Sequence, residues 1–206
     1  MAKEKDIKTE QAILDAAERV FINKGFAATK TTEIAKEAGI THAMLHYYFR
    51  TKENLFNIVF QNKVKLLASS FFSVINAKKP FIEIVCLTIE NHFNFIKNNP
   101  KLGLFIINEI NSNEKNSLVW NDIAIPVFTK VLGSIKELMD VEIRKGTIRP
   151  MDPLDIIQTV VSLNIFPFMA QPLFKNIRHF SDKEYEDFLE HRKQENIRLI
   201  MLMLKP

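Results

Sequence analysis

Cysteine, glycine and tryptophan are scarce in this chain of 206 residues, which has one Cys, five Gly and one Trp. A single cysteine, Cys86, excludes an internal disulfide framework and any zinc site built on the cysteines of one chain. The few glycines argue against a glycine-rich cofactor loop and against a turn-dense β-sandwich. No Ser-His-Asp, paired-carboxylate or phosphate-cradling pattern is present, so we expect neither an enzyme nor a bound cofactor.

Long uninterrupted hydrophobic runs are also missing. Residues 156–174 carry no charge but include polar side chains and two prolines. A membrane-spanning helix needs about 20 mostly apolar residues, so a helix buried between protein surfaces is the better interpretation. The N-terminus is charged and leads into no apolar run, unlike a signal peptide. We therefore expect a cytoplasmic protein with no membrane partner.

Phenylalanine and positive charge are unevenly distributed along the chain. The formal charge is +4, and three of the four excess positive charges lie in the first 65 residues. Twelve of the 17 phenylalanines follow residue 65. Hydrophobic residues make up 47% of the chain and charged residues 25%, which is typical of a globular protein. A small basic surplus permits binding to a polyanion without demonstrating it.

Apolar residues recur at helical spacing almost throughout, and no convincing period-2 run indicates a strand. The first helix is predicted from about Thr9, as its N-cap, to Lys24, with Gly25 in a left-handed conformation at its end. A short second helix covers about residues 32–38. Gly39 allows a tight turn, and Thr41 can cap a third helix at once. Two helices joined by so short a turn predict a helix-turn-helix motif.

The remaining helices follow from proline and capping signals. A long fourth helix begins at Lys52 and reaches about residue 77, and others open at Pro80, Pro100 and Pro153. Residues 111–117 are predicted to be a polar loop, followed by a helix over 118–145 that is kinked near Pro126. Pro167 and Pro172 are expected to bend or end the helix that opens at Pro153. Ser181 begins a capping box before a last helix over about 182–204.

The run Phe-Ala-Ala-Thr-Lys-Thr-Thr-Glu-Ile-Ala-Lys-Glu-Ala-Gly-Ile-Thr-His-Ala-Met-Leu-His-Tyr-Tyr-Phe-Arg-Thr-Lys-Glu-Asn-Leu, residues 26–55, resembles the DNA-binding domain of the tetracycline-repressor (TetR) family of bacterial regulators. The upstream Ile13-Leu-x-Ala-Ala-x-x-x-Phe21 and Gly25-Phe26 fit the same pattern. The resemblance implies an all-α fold, with an N-terminal three-helix helix-turn-helix domain over residues 8–65 (motif about 31–50). It implies a C-terminal helical domain for ligand binding and dimerisation over residues 66–206.

The same resemblance implies a homodimer that binds a palindromic operator on double-stranded DNA and is released by a small-molecule effector. Lys30 occupies a position where the family often has a capping Ser or Thr, so Thr29 or Thr31 is expected to take over the cap. By position, the residues matching the family's DNA-facing region are Thr29, Thr31, Thr41, His42, Ala43, Met44, His46, Tyr47, Tyr48 and Lys52.

The chemistry of these side chains suits DNA. Tyr47 and Tyr48 carry hydroxyls that can bond phosphates, although simple amphipathic packing would also account for them. Lys52 at a helix N-terminus can clamp a phosphate. His42 and His46 can donate to guanine acceptors. Their i, i+4 spacing can also hold a metal, but that face has no Cys, Asp or Glu, so we expect no metal.

The C-terminal phenylalanines are expected to build a core, and a subset of them a pocket for a mostly apolar effector oriented by a few polar groups. Core packing is the simpler interpretation of any one of them. The predicted pocket residues are His92, Phe93, Phe105, Asn108, Trp120, Phe128, Asn164 and Phe168.

A repressor released by a hydrophobic effector is therefore the leading functional prediction. The effector would favour a conformer whose two recognition helices no longer match the operator half-sites. Three alternatives stay open: an activator or ligand-independent regulator, a nucleoid-type protein that binds DNA without sequence preference, and an enzyme that depends on His92 or His179.

Overall fold

Short connections join a series of helices. The computed structural model describes the backbone of residues 2–75, 79–112 and 120–206, and the side chains of residues 6–69, 71–75, 79–108, 121–122 and 124–206. Regular structure in these ranges is helical throughout, so the predicted all-α fold class is confirmed. The elements are α1 (Ala2–Ala28), α2 (Thr31–Glu37), α3 (His42–Phe49), α4 (Lys52–Ile75), α5 (Phe81–Asn98), α6 (Pro100–Ser112), a π-helical turn (Trp120–Ala124), α7 (Ile125–Lys145), α8 (Pro153–Met169), α9 (Gln171–Arg178) and α10 (Asp182–Leu204).

The first helix begins earlier than its sequence pattern predicts. Thr9 lies inside α1, so the predicted N-cap at Thr9 is wrong. The residues between Ala2 and Thr9 include no proline or glycine that would stop a helix. Gly25 interrupts the helical run with φ 74°, a left-handed value that glycine adopts without a Cβ clash.

Two compact units make up the chain. The first contains Met1–Val64 and Leu104–Ala124, and the second contains Lys65–Gly103 and Ile125–Pro206. The chain passes from the first unit to the second within α4. The predicted functional domains, 8–65 and 66–206, are defined by what they bind, and those roles stay a prediction.

Apolar stripes on α1 to α4 form the core of the first unit. Leu45 and Phe49 of α3 are buried, as their spacing predicts. The ring of Phe56 lies edge-on to Phe21 with centroids 5.1 Å apart, and 4.9 Å from the ring of Phe26. Such edge-to-face pairs add about 0.5–1.5 kcal/mol beyond the burial of area. The other fully enclosed side chains of this core include Ile13, Ala16, Ala17, Ile34 and Leu55.

Within the described residues, the second unit buries apolar clusters among α4, α5, α7, α8 and α10. One contains Ile89, Met139, Ile148, Ile156, Val160, Ile200 and Leu204. A second is built on Phe93, Ile96, Phe168, Tyr185 and Leu189, and a third on Phe71, Ile75 and Val131. The late phenylalanines therefore contribute to the core here.

Side-chain caps fix the ends of the C-terminal helices. Asp152 caps α8 by accepting from the backbone N–H of Leu154 at 2.8 Å. The predicted capping box is confirmed, because Ser181 accepts from the Glu184 N–H at 3.3 Å and Glu184 accepts from the Ser181 N–H at 2.8 Å. Pro167 lies inside α8 without ending it.

Some of these helices are as apolar as membrane spans. By length and composition α4 could cross a membrane, and α8 and α9 together pass the same test with a bend of 61° between them. Core helices of globular proteins pass it as well, and α4 places Leu55, Phe56 and Phe60 in the core of the first unit. The expected lack of a membrane partner stays a prediction.

Candidate nucleic-acid interface

The second and third helices form a tight helix-turn-helix. Gly39 adopts φ 67° between them, and the N–H of Ile40 donates to the carbonyl oxygen of Ala35 at 3.0 Å. Thr41 caps α3, since its hydroxyl oxygen accepts from the N–H of Met44 at 3.2 Å. The sequence signals at Gly39 and Thr41 therefore predicted this turn correctly.

The outer face of α3 is open to solvent. Because Leu45 and Phe49 point into the core, the helix presents the side chains between them outwards. Tyr47 is 80% exposed and Met44 40% exposed. His42, Ala43 and His46 are exposed as well. Solvent therefore reaches this face across five of the predicted DNA-facing positions.

The two histidines of this face line a shallow open groove with Thr31, Arg50 and Lys52. Nε2 of His42 lies 2.9 Å from the hydroxyl oxygen of Thr31, at the start of α2. Nδ1 of His46 lies 2.8 Å from the carbonyl oxygen of Arg50. The two imidazoles meet edge-to-face with centroids 4.4 Å apart. Among the side chains that the structure describes, no group of three or more His, Cys, Asp or Glu could hold a metal here or elsewhere.

Lys52 ties the connection between α1 and α2 to the start of α4. Its Nζ donates to the carbonyl oxygen of Thr29 at 2.8 Å and lies 4.3 Å from the centroid of the Phe26 ring. Thr29 is buried, and its hydroxyl donates to the carbonyl oxygen of Gly25 at 2.7 Å. The buried Thr29 therefore stabilises this connection, and Lys52 is half-buried beside the groove.

No threonine caps α2. The N-cap is Lys30, whose own side chain makes no cap hydrogen bond. The expectation that Thr29 or Thr31 takes over the cap is therefore wrong, because one hydroxyl bonds Gly25 and the other His42. An acidic residue supports this helix end through the helix dipole instead. Glu33 accepts from Lys24 at 3.0 Å, and this bond lowers the pKa of the Glu33 carboxyl.

Tyr48 has a partner that its sequence neighbourhood did not predict. Its hydroxyl donates to a carboxylate oxygen of Asp6 at 2.6 Å, and this hydrogen bond raises the pKa of the tyrosine. Asp6 lies in the charged first turns of α1. The two residues are 42 positions apart, so helical periodicity carries no signal for their contact. Tyr48 is half-buried, whereas Tyr47 beside it is exposed.

Only some of the predicted pocket residues come together. The rings of Phe93 and Phe168 meet in the second unit with centroids 5.1 Å apart. Phe105 belongs to the first unit, where it packs against Phe56 and Phe60. Asn108 is also in the first unit and is exposed. Phe128 is half-buried on α7, and the side chain of Trp120 lies outside the described residues.

His92 and Asn164 are buried partners. The amide nitrogen of Asn164 donates to the carbonyl oxygen of Ile89 at 3.0 Å and to Nδ1 of His92 at 3.1 Å. Its amide oxygen accepts from Asn196 at 2.9 Å. Burial lowers the pKa of His92 to about 4, so the imidazole is neutral near pH 7. The Asn164 amide therefore has a partner for each of its hydrogens and for its oxygen within the core.

An apolar cavity of about 40 Å³ lies elsewhere in the second unit, between α4, α5, α7 and α8. Thr88 is a polar side chain in its wall, and its hydroxyl donates to the carbonyl oxygen of Ile84. None of the predicted pocket residues whose side chains the structure describes lines this cavity. The signal available in the sequence is the apolar face of α5 that repeats through Ile84 and Thr88. The lining residues are Phe71, Ile75, Phe81, Ile84, Val85, Thr88, Ile89, Ile135, Leu138, Ile156, Ile157 and Val160.

A helix-turn-helix with a solvent-facing third helix, followed by a separate all-helical unit, defines a class of DNA-binding regulator. Residues 13–59 match the family model described as "Bacterial regulatory proteins, tetR family". This match covers the helix-turn-helix and confirms the resemblance of the chain to the TetR family of transcriptional regulators.

Known proteins resemble the chain beyond this domain. The Bacillus subtilis regulator YhgD, described as an uncharacterized HTH-type transcriptional regulator, is 26% identical over 71% of this chain and 75% of its own. FadR from Bacillus subtilis, solved with stearoyl-CoA, has a TM-score of 0.68 at 21% identity, covering 94% of this chain and 98% of its own. AibR, solved with isovaleryl coenzyme A and operator DNA, has a TM-score of 0.62 at 20% identity, covering 76% of this chain and 85% of its own. At these identities the solved structures show a shared fold.

Proposed function

We propose that this protein is a transcriptional repressor that binds a palindromic operator as a homodimer and leaves it when a hydrophobic effector binds. The observation that carries the proposal is the outer face of α3, where exposed side chains stand on a helix anchored by Leu45 and Phe49. A helix presented this way fits the major groove of B-DNA. A DNA-binding role also implies a cytoplasmic location.

Roles on the DNA face follow from exposure and chemistry. Ala43 and Met44 can contact a thymine methyl, and His42 and His46 can bond base edges. Tyr47 serves a phosphate through its exposed hydroxyl, and Lys52 serves another at the start of α4. Lys30, Lys36 and Arg50 are exposed and add attraction that does not depend on sequence. Thr31 and Thr41 lie beside His42 and His46. Thr29 is buried and stabilises the connection between α1 and α2.

Affinity measurements on two DNA duplexes test this proposal. Fluorescence anisotropy would compare the DNA that flanks the protein's own gene with a scrambled duplex of equal length and composition. A regulator binds the first at least a thousandfold more tightly at physiological salt. Equal, steeply salt-dependent binding to both duplexes would instead identify a nucleoid-type protein.

Dimerisation is proposed through α8 and α10, the last two long helices. Both carry large apolar side chains that water reaches in the single chain, and an exposed apolar patch indicates an interface. Light scattering at micromolar concentration is expected to give twice the mass of one chain, and a monomer mass would contradict this. The exposed apolar residues of these helices include Leu154, Phe166, Met169, Leu199 and Leu202.

The effector is proposed to carry an acyl chain. The apolar cavity of the second unit supports an apolar ligand, and the solved FadR and AibR complexes hold acyl-CoA molecules. A cavity of about 40 Å³ holds one or two water-sized groups, so a ligand must widen it. Widening would favour a conformer with lower operator affinity. We propose that α4 transmits this change, because it runs through both units.

A matched pair of substitutions on α5 tests the cavity. Val85 lines it, whereas Ile82 on the same helix is 47% exposed. Val85→Phe fills the cavity and is expected to abolish operator release by acyl-CoA esters, while Ile82→Phe keeps release intact. Unchanged release in Val85→Phe would contradict the assignment of the cavity. Failure of every acyl-CoA to release wild-type protein would contradict the effector class.

A further inference from the structure

The imidazole of His46 is held in one tautomer. Its Nδ1 lies 2.8 Å from the carbonyl oxygen of Arg50, and a carbonyl oxygen only accepts hydrogen bonds. Nδ1 therefore carries the hydrogen. A neutral imidazole has a single N–H, so Nε2 of His46 is left as an acceptor. Within the described part of the chain, no protein donor meets this nitrogen, and the side chain is exposed.

The backbone that fixes this tautomer is itself tightly constrained. Arg50 adopts φ 61° and ψ −56°, an unusual conformation for a residue with a Cβ. The N–H of Thr51 donates to the carbonyl oxygen of Phe49 at 2.6 Å, which closes a γ-turn around Arg50. The N–H of Arg50 donates back to the carbonyl oxygen of His46 at 3.0 Å. These bonds fix the direction of the Arg50 carbonyl and with it the orientation of the ring.

His42, one turn earlier, has no such constraint. Its Nε2 faces the hydroxyl of Thr31, which can donate or accept. Either tautomer of His42 satisfies that contact. The two histidines share the outer face of α3 and differ in this respect, so His42 is a matched control for His46.

We propose that His46 is a specificity-determining residue that accepts a hydrogen bond from the exocyclic amino group of adenine or cytosine in the major groove. The proposal rests on the DNA-binding function proposed above. Adenine N6 and cytosine N4 are donors in that groove, whereas guanine presents only the acceptors N7 and O6. An acceptor nitrogen facing guanine leaves both partners unpaired, so His46 selects against guanine at the base it meets. The prediction that His46 donates to guanine is replaced by this one.

The experiment begins with selection from a random double-stranded DNA library at pH 8, where imidazole in water is neutral. Wild-type protein and His46→Ala are compared to find the base pair whose preference depends on His46. In the selected duplex, that adenine is replaced by purine or that cytosine by 2-pyrimidinone, which deletes the amino group alone. A second duplex carries the 7-deaza purine at the same pair, which removes the N7 acceptor.

Wild-type protein is expected to lose about fivefold in affinity when the amino group is deleted, which corresponds to one hydrogen bond. Its affinity should not change on 7-deaza substitution. His42→Ala should show the same loss on deletion, and His46→Ala none. Because each protein is compared with itself on two duplexes, a general loss of folding in His46→Ala cancels. The assignment would be overturned if wild-type protein lost affinity on 7-deaza substitution alone, or if His46→Ala kept the base preference of wild type. If wild-type protein enriches no sequence at all, the proposed regulator function fails with it.

Discussion

Asn196 on α10 donates its side-chain amide to the carbonyl oxygen of Leu163 on α8, at 3.0 Å. In an α-helix that carbonyl would accept from the N–H four residues later, and the residue there is Pro167, which has none. The second amide hydrogen of Asn196 goes to the side-chain oxygen of Asn164 at 2.9 Å. One buried amide thus completes the hydrogen bonding of α8 across its proline and joins the two helices.

Substitution of Asn196 by leucine is expected to lower the free energy of unfolding by about 2–4 kcal/mol. Leucine has the same number and branching of side-chain heavy atoms, but it leaves two buried acceptors without donors. Denaturation in urea measures the change. Gln194→Leu, at an exposed position of the same helix, is the control and should shift the free energy of unfolding by less than about 0.5 kcal/mol. Equal effects of the two variants would contradict the role assigned to Asn196.

A second substitution sharpens this test. Pro167→Ala returns a backbone N–H that can reach Leu163. In the Asn196→Leu background it should therefore recover part of the lost stability. Additive losses from the two substitutions would mean that the Leu163 carbonyl does not couple them.

Acid should destabilise the protein through His92. Burial holds its pKa at about 4 in the folded chain, against 6.5 for a solvated histidine. Below pH 6.5 the unfolded chain binds a proton that the folded chain rejects. The stability contribution of neutral His92 is therefore present above pH 6.5 and is lost as the pH falls towards 4. The total loss is about 3 kcal/mol.

His92→Gln provides the comparison, because its amide oxygen can accept from Asn164 and does not titrate. Urea denaturation from pH 7.5 to pH 4 should show a shallower fall in unfolding free energy for this variant. The difference between the two proteins should open below pH 6.5. Parallel curves would show that the histidine does not carry the acid sensitivity.

The helix-turn-helix was predictable because its signals are local. Gly39, Thr41 and the spacing of Leu45 and Phe49 lie within a dozen residues, and each has a physical meaning without a tertiary partner. The Tyr48–Asp6 bond and the Asn196–Leu163 bond join residues 42 and 33 positions apart, and helical periodicity says nothing about which faces meet. The residues that line the cavity of the second unit come from four helices, so local spacing does not single them out either.

The predicted pocket and the observed cavity involve different residues, and the cap of α2 also differs from its prediction. Phe93 on α5 and Phe168 on α8, which are predicted to line a pocket, pack against each other in the core. The cavity is bounded mainly by aliphatic residues, with Phe71, Phe81 and Thr88 among them, and composition does not single out these positions. The cap of α2 was missed because Thr31, although adjacent, bonds His42 across the turn.

Loss of the Thr41 cap should weaken the first unit. Thr41→Ala removes the acceptor for the Met44 N–H and is expected to cost about 1 kcal/mol of stability. Thr41→Ser keeps the hydroxyl and should stay within about 0.5 kcal/mol of wild type. Thermal unfolding followed by circular dichroism measures both. An equal loss in the two variants would point to the methyl group rather than the cap.

Asp6→Asn should tighten DNA binding. The substitution removes a negative charge next to Tyr48, a predicted DNA-facing residue, and keeps an oxygen that accepts from its hydroxyl. We expect operator affinity to rise about threefold at low salt, and the gain to shrink as salt rises. Asp155→Asn, an exposed position of the second unit, should leave affinity unchanged. A gain of equal size in both variants would reflect net charge alone.

A nuclease footprint on the DNA that flanks the protein's own gene tests whether the α3 face binds an operator. We expect two protected half-sites related by a palindrome and about one helical turn apart, with protection lost in Tyr47→Ala. Tyr47 is the most exposed aromatic residue of α3, so its removal should leave the fold intact. Protection spread evenly along the DNA, or a discrete footprint that Tyr47→Ala leaves unchanged, would contradict the assignment of the α3 face as the operator-binding surface.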